Sequence, residues 1–178
     1  MIGKFVPPML RTTGGAGMSE AVVHLLCGLN GAGKTTYARH LAAQLPAVRF
    51  GLDEWMLRLY PYRYDTVEYA EQVEVCKELI WQTAVQVLHT GSDVVLDWNQ
   101  WSRARRSDWH VRAAEAGFRA RLHYIRVPVE TAVARAEARS VEGGPAAHVL
   151  DGAAVRHLAS IFEPPTADEG LPVIVIDG

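Results

Sequence analysis

The sequence has few of the features that mark secreted, metal-binding or membrane proteins. Its 178 residues include two cysteines, Cys27 and Cys76, which are far apart and match no metal-ligand or disulfide spacing. No apolar run reaches the roughly 18 residues that a membrane-spanning helix requires. These absences predict a cytoplasmic protein with reduced, structural cysteines and no membrane partner.

An excess of charge of either sign is also missing. Eighteen Lys and Arg residues oppose 20 Asp and Glu residues, for a formal net charge of −2. A nearly neutral chain is a poor electrostatic partner for long nucleic acid, although a local basic groove remains compatible with it. The seven histidines are scattered, and we interpret His24, within an apolar run, as a core residue.

The first 20 residues lack the apolar core of a signal peptide and are rich in Gly and Pro. We expect residues 1–20 to form a flexible tail and residues 21–178 to form one domain. Met18 could itself be a start. A further flexible break is predicted at Gly143-Gly144-Pro145.

Apolar runs alternate with amphipathic segments along the rest of the chain. This alternation predicts an α/β domain with right-handed βαβ units and a parallel sheet covered by helices on both faces. The predicted strands are 21–27, 47–50, 94–97, 119–127 and 173–176. The predicted helices are 34–45, 67–90, 103–116, 129–140 and 151–162, with a helical turn at 53–60.

The segment that directly follows the first predicted strand matches the pattern G-x-x-x-x-G-K-[ST]. Its eight residues are Gly28, Leu29, Asn30, Gly31, Ala32, Gly33, Lys34 and Thr35. Glycines let the backbone turn tightly and direct N–H groups at an anion, and the helix that follows adds its positive end. Lys34 would reach the β- and γ-phosphates, and the Thr35 hydroxyl would bind Mg²⁺. We include Thr36 in the predicted nucleotide site, although a helix position alone explains it.

Three further segments support a more specific comparison: residues 51–55 (GLDEW), 135–139 (RAEAR) and 162–165 (FEPP). With the loop, they make the chain resemble small P-loop kinases of the predicted-kinase (AAA_33, zeta-toxin-like) family. Relatives of this family include polynucleotide 5′-kinases and chloramphenicol phosphotransferase. The resemblance implies a nucleoside-kinase-like five-stranded sheet with strand order 2-3-1-4-5 and a small helical lid.

Two aspartates follow predicted strands, at the sheet edge where open α/β folds bind ligands. In similar kinases, an aspartate at the position of Asp53 accepts the proton of the acceptor hydroxyl; an N-cap of the turn 53–60 is the alternative. Asp97 ends an apolar strand, a pattern typical of a carboxylate that holds Mg²⁺. A plain turn residue is the alternative for Asp97.

Arg135 and Arg139 are four residues apart and share one helix face. The resemblance implies that they belong to the lid and close over the transferring phosphoryl group, which guanidinium groups suit. The alternative is a solvated face paired with neighbouring glutamates. Three more arginines begin another predicted helix and are candidates for phosphate or acceptor contacts, or for a solvated face: Arg103, Arg105 and Arg106.

Aromatic residues are concentrated in two segments after predicted strands: Phe50, Trp55, Tyr60, Tyr62 and Tyr64 in the first, and Trp98 and Trp101 in the second. Aromatic walls stack planar acceptors, including nucleobases, whereas ordinary core packing is the alternative. We expect about half of these residues to be core.

These features favour an ATP-dependent kinase that uses Mg²⁺ and transfers the γ-phosphoryl group to a hydroxyl of a small molecule. Lys34, Asp53, Arg135 and Arg139 are the predicted catalytic residues, and Thr35 and Asp97 the predicted metal ligands. One alternative is a kinase acting on a polynucleotide 5′-hydroxyl. Another is a nucleotide-binding switch without a dedicated acceptor, which the Asp53 segment and the aromatic residues disfavour.

Overall fold

The computed structural model describes residues 21–60, 66–142 and 151–178, and its five strands form one parallel sheet. The strands are β1 (Val22–Cys27), β2 (Ala47–Gly51), β3 (Asp93–Asn99), β4 (Arg119–Arg126) and β5 (Val173–Asp177). Their spatial order is β2-β3-β1-β4-β5, and every pairing is parallel. The predicted fold class and strand order are confirmed.

Six helices connect the strands: α1 (Lys34–Gln44), α2 (Leu52–Leu59), α3 (Val67–His89), α4 (Arg103–Glu115), α5 (Val129–Glu142) and α6 (Gly152–Ser160). A 3₁₀ turn, Ala167–Glu169, precedes β5. Ser102 and Asp151 are the N-caps of α4 and α6, since their side-chain oxygens accept hydrogen bonds from the N–H groups of Arg105 and Ala154. Such caps satisfy N–H groups that have no partner within the helix.

The sheet core explains why β1 is mostly apolar and why β3 contains the apolar run 94–96. Both strands lie in the sheet interior, so their two faces are covered, and Val23 and Leu25 pair with Val94 and Leu96. The register then shifts, so that Leu26 pairs with Asn99. Such irregularities are frequent next to functional sites, and this one includes the segment that carries Asp97.

Two sequence predictions at this sheet edge are wrong in detail. β3 continues for two residues beyond Asp97, so this carboxylate lies inside the strand and is not its last residue. Asp53 is the second residue of α2, whose N-cap is Gly51 without a side-chain cap. The alternative that Asp53 acts as an N-cap is therefore excluded.

His24 is a satisfied core residue, as predicted. It is 2% exposed, and its ring nitrogens lie 3.0 Å from Asp93 Oδ2 and 2.9 Å from His123 Nε2. The second nitrogen of His123 lies 2.8 Å from the Tyr37 hydroxyl, so the chain of side chains links β1 and β4 to α1. Burial lowers the pKa of both histidines, that of His123 to about 4.

Some sequence predictions fall outside the described residues. These are the flexible tail at 1–20, the break at 143–145 and the aromatic residues Tyr62 and Tyr64. None of the helices within the described part of the chain combines the length and apolar character that a membrane crossing requires. Cys27 and Cys76 are both buried and unpaired.

Candidate functional site

The loop between β1 and α1 has the backbone that an anion cradle requires. Gly28 has φ +147° and Gly31 has φ +88°, backbone angles that residues other than Gly rarely adopt. A Cβ at Gly28 would also lie 2.5 Å from the backbone oxygen of Ile125. The N-cap of α1 is Gly33, with no side-chain cap and no acidic residue in the first turn, so the N–H groups and positive end of the helix are available to an anion.

Lys34 is held by the loop that precedes it. Its Nζ donates to the backbone oxygens of Gly28 and Leu29 at 2.9 and 2.8 Å. Burial lowers the pKa of Lys34 to about 8, opposed by the nearby carboxylates of Asp97 and Asp53. A bound phosphate would offer this ammonium group a stronger, charged acceptor in place of the two carbonyls.

Thr35 and Asp97, the predicted metal ligands, are brought together across 62 positions of sequence. The Thr35 hydroxyl donates to Asp97 Oδ1 at 3.3 Å, while Arg49 Nη1 donates to Asp97 Oδ2 at 2.5 Å. The Asp97 side chain is 5% exposed. Burial raises its pKa, and the charge of Arg49 opposes this effect.

This arrangement fits Mg²⁺. The ion prefers hard oxygen ligands and is commonly held by one or two protein groups together with phosphates and water. The Asp97 oxygen beside Thr35 is free of the arginine, which occupies the other oxygen. Within the described residues there is no group of three or more His, Cys, Asp or Glu side chains that could hold a metal, so phosphates and water would complete the coordination of an ion bound here.

A cavity of about 400 Å³ adjoins the loop, within the range of small-molecule sites. Leu29 and Asn30 line it from the loop and Lys34 and Thr35 from the start of α1, but Thr36 is exposed outside the described lining. Asp53 also lines the cavity and is exposed at the start of α2. The cavity therefore joins the phosphate cradle to a carboxylate from a different strand–helix junction.

Arg139 lines the same cavity, whereas Arg135, one turn earlier, is outside its described lining. Both arginines are exposed on α5. The Arg139 charge acts on Lys34, where it lowers the pKa after the larger effect of burial. Of the predicted arginine pair, Arg139 is thus the member that lies by the phosphate cradle.

The three arginines at the start of α4 have separate surroundings. Arg106 is 1% exposed and binds both oxygens of Glu169 at 2.6 and 2.7 Å, which makes it part of the core. Arg103 pairs with Asp168 at the surface. Arg105 alone among the three lines the cavity, with its guanidinium carbon 5.4 Å from the centre of the Trp101 ring.

The aromatic wall of the cavity differs from the predicted one. Tyr69, Trp98, Trp101 and Phe162 line the cavity. Phe50 is buried in the core, and Tyr60 packs against the core. Trp55 is 39% exposed and lies edge-on to Phe50. The described part of the first aromatic segment therefore packs the domain, while the second segment, helix α3 and the segment after α6 supply the wall.

Two buried polar atoms of the cavity residues lack hydrogen-bond partners within the described part of the chain. They are the donor Trp98 Nε1 and the acceptor Asn99 Oδ1. Buried polar groups in native proteins are generally paired with protein or ordered water. This wall therefore has unused capacity to pair with water or with a polar ligand.

Two further cavity residues, Arg49 and Lys77, were not predicted from the sequence. Arg49 is the middle residue of the short strand β2. Its Nη2 donates to Glu54 Oε2 at 2.6 Å in addition to its bond with Asp97. Lys77 lies on the buried face of α3 beside Cys76 and Ile80. In both cases the available signal was a charged residue at a position where the periodicity places apolar side chains.

Comparisons with known proteins agree with this geometry. The AAA_33 family model, described as an AAA domain, matches residues 23–165. No curated protein matches the sequence.

Solved structures with the same fold include a chain of the Pnkp1/Rnl/Hen1 RNA repair complex, with a TM-score of 0.68 and 19% identity over 84% of this chain. This chain covers only 45% of that one. Kti12 from Chaetomium thermophilum in complex with ADP-AlF3 has a TM-score of 0.63 and 17% identity, covering 87% of this chain and 88% of its own. A gluconokinase from Sinorhizobium meliloti 1021 has a TM-score of 0.55 and 13% identity, covering 90% and 83%.

Proposed function

This chain belongs to the AAA_33 family of AAA domains, and on that premise we propose that it is an ATP-dependent kinase that phosphorylates a hydroxyl group of a small molecule. The observation that carries the proposal is the convergence on one cavity of Lys34 and Thr35 from the start of α1, Asp97 from β3 and Asp53 from α2. The cavity has space for an acceptor next to the phosphate cradle. A nucleotide switch needs no such space.

The donor nucleotide would bind with its phosphates against the loop N–H groups and the start of α1, and Lys34 would exchange its two carbonyl partners for phosphate oxygens. Thr35 and Asp97 would hold Mg²⁺, which neutralises charge on the β- and γ-phosphates. Arg49 keeps the Asp97 carboxylate oriented through its second oxygen. The fold is shared with Kti12, which was solved with ADP-AlF3, in agreement with a nucleotide in this cradle.

Transfer requires that the acceptor oxygen forms a bond to the γ-phosphorus as the bond from that phosphorus to the β–γ bridging oxygen breaks. We assign Asp53 to orient the acceptor hydroxyl and to take its proton. ADP leaves with the electrons of the broken bond. Its charge raises the pKa of Tyr69 and Asp97, after the larger effect of burial, so it lies close to both the donor site and the aromatic wall. Proximity of this kind supplies much of phosphoryl-transfer catalysis.

The arginines of α5 would stabilise charge on the transferring group. Arg139 already lines the cavity, and a planar guanidinium matches phosphoryl oxygens. Arg135 shares its helix face and would join it only if α5 rotates or moves toward the cradle. We therefore expect Arg139 to contribute more than Arg135.

A polynucleotide 5′-kinase is the second candidate. The shared fold with a chain of the RNA repair complex favours it, as does the stacking of Arg105 on Trp101, because single-stranded bases bind to such surfaces. The formal net charge of −2 and the cavity volume of about 400 Å³ favour a small acceptor.

The test is a transfer assay with labelled ATP against hydroxyl-bearing metabolites, antibiotics and oligonucleotides with a 5′-hydroxyl. Lys34→Ala should lower turnover by at least ~10²-fold, because it removes a major electrostatic stabiliser. Asp53→Asn should lower transfer by a similar factor and leave the affinity for ADP and Mg²⁺ unchanged. Glu68→Gln is the matched control, since Glu68 is also an acid in the first turn of an exposed helix end but lies outside the described cavity lining.

Transfer by Asp53→Asn at the wild-type rate would rule out the assigned role of this carboxylate. A normally folded Lys34→Ala protein with wild-type turnover would rule out the donor site. Efficient phosphorylation of oligonucleotides would contradict the small acceptor and favour a single-stranded one. In that case the logarithm of oligonucleotide affinity should fall with the logarithm of salt concentration, with a slope near −0.7 per neutralised phosphate.

A further inference from the structure

We propose that the acceptor is a small molecule with an anionic group, a carboxylate or a phosphate monoester, and that Lys77 of α3 and Arg105 of α4 bind this group. The inference rests on the proposed function and adds the chemical class of the substrate. Both residues line the cavity, and they come from helices that take no part in the phosphate cradle.

Lys77 is a cation in a position that packing alone would fill with an apolar side chain. The residue is 5% exposed and lies on the buried face of α3. Its Nζ donates to Glu74 Oε1 at 2.7 Å, but the Glu74 side chain is 67% exposed and remains largely solvated. Burial lowers the pKa of Lys77, which is the sign of an ammonium group that is poorly compensated for its loss of water. An anion in the cavity would supply the missing compensation.

Among the described residues, Arg105 is the arginine of α4 for which no carboxylate partner is present. Arg103, Arg106 and Arg112 pair with Asp168, Glu169 and Glu78 respectively. Within the described part of the chain, the Arg105 guanidinium makes neither an ion pair nor a hydrogen bond, although the residue is half-buried and lies over Trp101. Within the described residues, its guanidinium donors are therefore available to a ligand in the cavity that Arg105 lines.

Lys77 and Arg105 influence each other electrostatically. The charge of Arg105 contributes to the lowered pKa of Lys77, after the larger effect of burial, so the groups are near each other and repel. The ionised groups that act on Lys34 are instead those of Asp97, Asp53 and Arg139. The cavity thus has one charged region at the phosphate cradle and a second, cationic region at α3 and α4.

The space between these regions suits the body of a small acceptor. Trp101 and Phe162 offer flat apolar surfaces, and Val73 adds an aliphatic contact. An anion bound to Lys77 and Arg105 would anchor one end of such a molecule, while a hydroxyl at its other end would reach Asp53. A neutral analogue would leave Lys77 with only the largely solvated Glu74 as its partner and would offer Arg105 no anion. Sites of this kind discriminate strongly against analogues that lack the matching group.

The experiment uses the full chain and a panel of hydroxyl-bearing carboxylates and phosphate monoesters. The panel contains sugar acids, sugar phosphates and hydroxymethyl benzoates, each paired with its neutral amide or alcohol. Binding is measured by calorimetry in the presence of ADP and Mg²⁺, and transfer is measured with labelled ATP. We expect at least one anionic probe to bind at least ~10-fold more tightly than its neutral partner. The carboxylate and phosphate arms distinguish the two sources of the anion.

Lys77→Met and Arg105→Gln should each abolish this preference by raising KM for the anionic probe, with KM for ATP unchanged. Methionine has a length similar to that of lysine and suits the buried position, so Lys77→Met should fold. Arg103→Gln is the matched control, because Arg103 begins the same helix and pairs with Asp168 outside the described cavity lining. It should keep the preference.

Equal binding of the anionic and neutral probes would overturn the inference, as would a preference that persists in Lys77→Met and Arg105→Gln. Failure of every anionic probe to bind would also overturn it. Transfer to neutral acceptors that depends on Asp53 would overturn the inference and leave the proposed kinase function intact. ATP turnover with no transfer to any acceptor would contradict the kinase function itself.

Discussion

Arg49 shows how one residue maintains the charge state of the site. Its guanidinium is the cation beside Asp97, whose side chain is 5% exposed, and its own side chain is 15% exposed. Removing one partner of a buried ion pair leaves an uncompensated charge and typically costs ~3–5 kcal/mol. We therefore expect Arg49→Leu to lower the free energy of unfolding in urea by an amount of this order.

Arg39→Leu is the control for this prediction. Arg39 also pairs with Glu54, at 2.7 Å, but its side chain is 55% exposed, and exposed pairs contribute at most ~1 kcal/mol. Replacing Asp97 by Asn in the Arg49→Leu background should recover part of the loss, because the uncompensated charge is gone. Equal small losses for Arg49→Leu and Arg39→Leu would contradict the role of Arg49.

At the scale of elements, a chain of hydrogen bonds attaches helix α1 to the sheet, and each group in the chain donates to the next one. If Tyr37 donates to His123 Nδ1, then His123 Nε2 donates to His24 Nδ1 and His24 Nε2 donates to Asp93. At the His24–His123 contact one ring nitrogen must donate and the other must accept, so the two imidazoles cannot both be protonated. The helix that carries Lys34 and Thr35 is thereby held by a network that acid disrupts.

This network predicts a loss of stability in mild acid. Burial and the charges of His24 and Arg121 lower the pKa of His123 to about 4, whereas the ordinary value of histidine is about 6.5. As the pH falls from 6.5 to 4, the unfolded chain binds a proton that the folded chain does not, so stability falls with pH. Above pH 6.5 this contribution is constant. The loss should be on the order of 2–3 kcal/mol by pH 4.

His123→Gln should reduce the slope of unfolding free energy against pH between 6.5 and 4, measured by urea denaturation at each pH. His40→Gln is the control, since His40 is exposed on the same helix α1 and should leave the slope unchanged. The prediction fails if both variants keep the wild-type slope.

At the scale of the whole molecule, closure of α5 over the cradle would complete the site. Arg139 already lines the cavity, and α5 packs against α6, whose Leu158 lines it as well. We expect a nonhydrolysable ATP analogue with Mg²⁺ to slow hydrogen exchange in the second half of Val129–Glu142, because ligand-induced closure is common in kinases.

Arg139→Ala should remove this protection while nucleotide still binds. Arg156→Ala is the control, since Arg156 pairs with Glu130 between α6 and α5 at the surface and is outside the described cavity lining. Unchanged exchange in the wild-type protein, with both nucleotide and acceptor bound, would contradict closure.

Local sequence was sufficient for the elements and for the phosphate loop. Gly28 and Gly31 adopt backbone angles that few other residues tolerate, and Ser102 and Asp151 cap helices through bonds to the third residue beyond them. Such features depend on neighbours within a few positions. The strand order came from the family resemblance, because apolar alternation indicates a parallel sheet without indicating which strands are adjacent.

The environment of the site depended on tertiary structure. Arg49 reaches Asp97 because β2 and β3 are neighbours, with Gly51 in register with Asp97, and Lys77 comes near Arg105 because α3 and α4 line the same cavity. Which aromatic residues are core is likewise decided by packing, since Phe50 turns into the core while Tyr69 and Phe162 reach the cavity. Ion pairs and cavity walls join residues that are distant in sequence. Their partners are therefore set by sheet order and helix packing, and no local pattern records either of these.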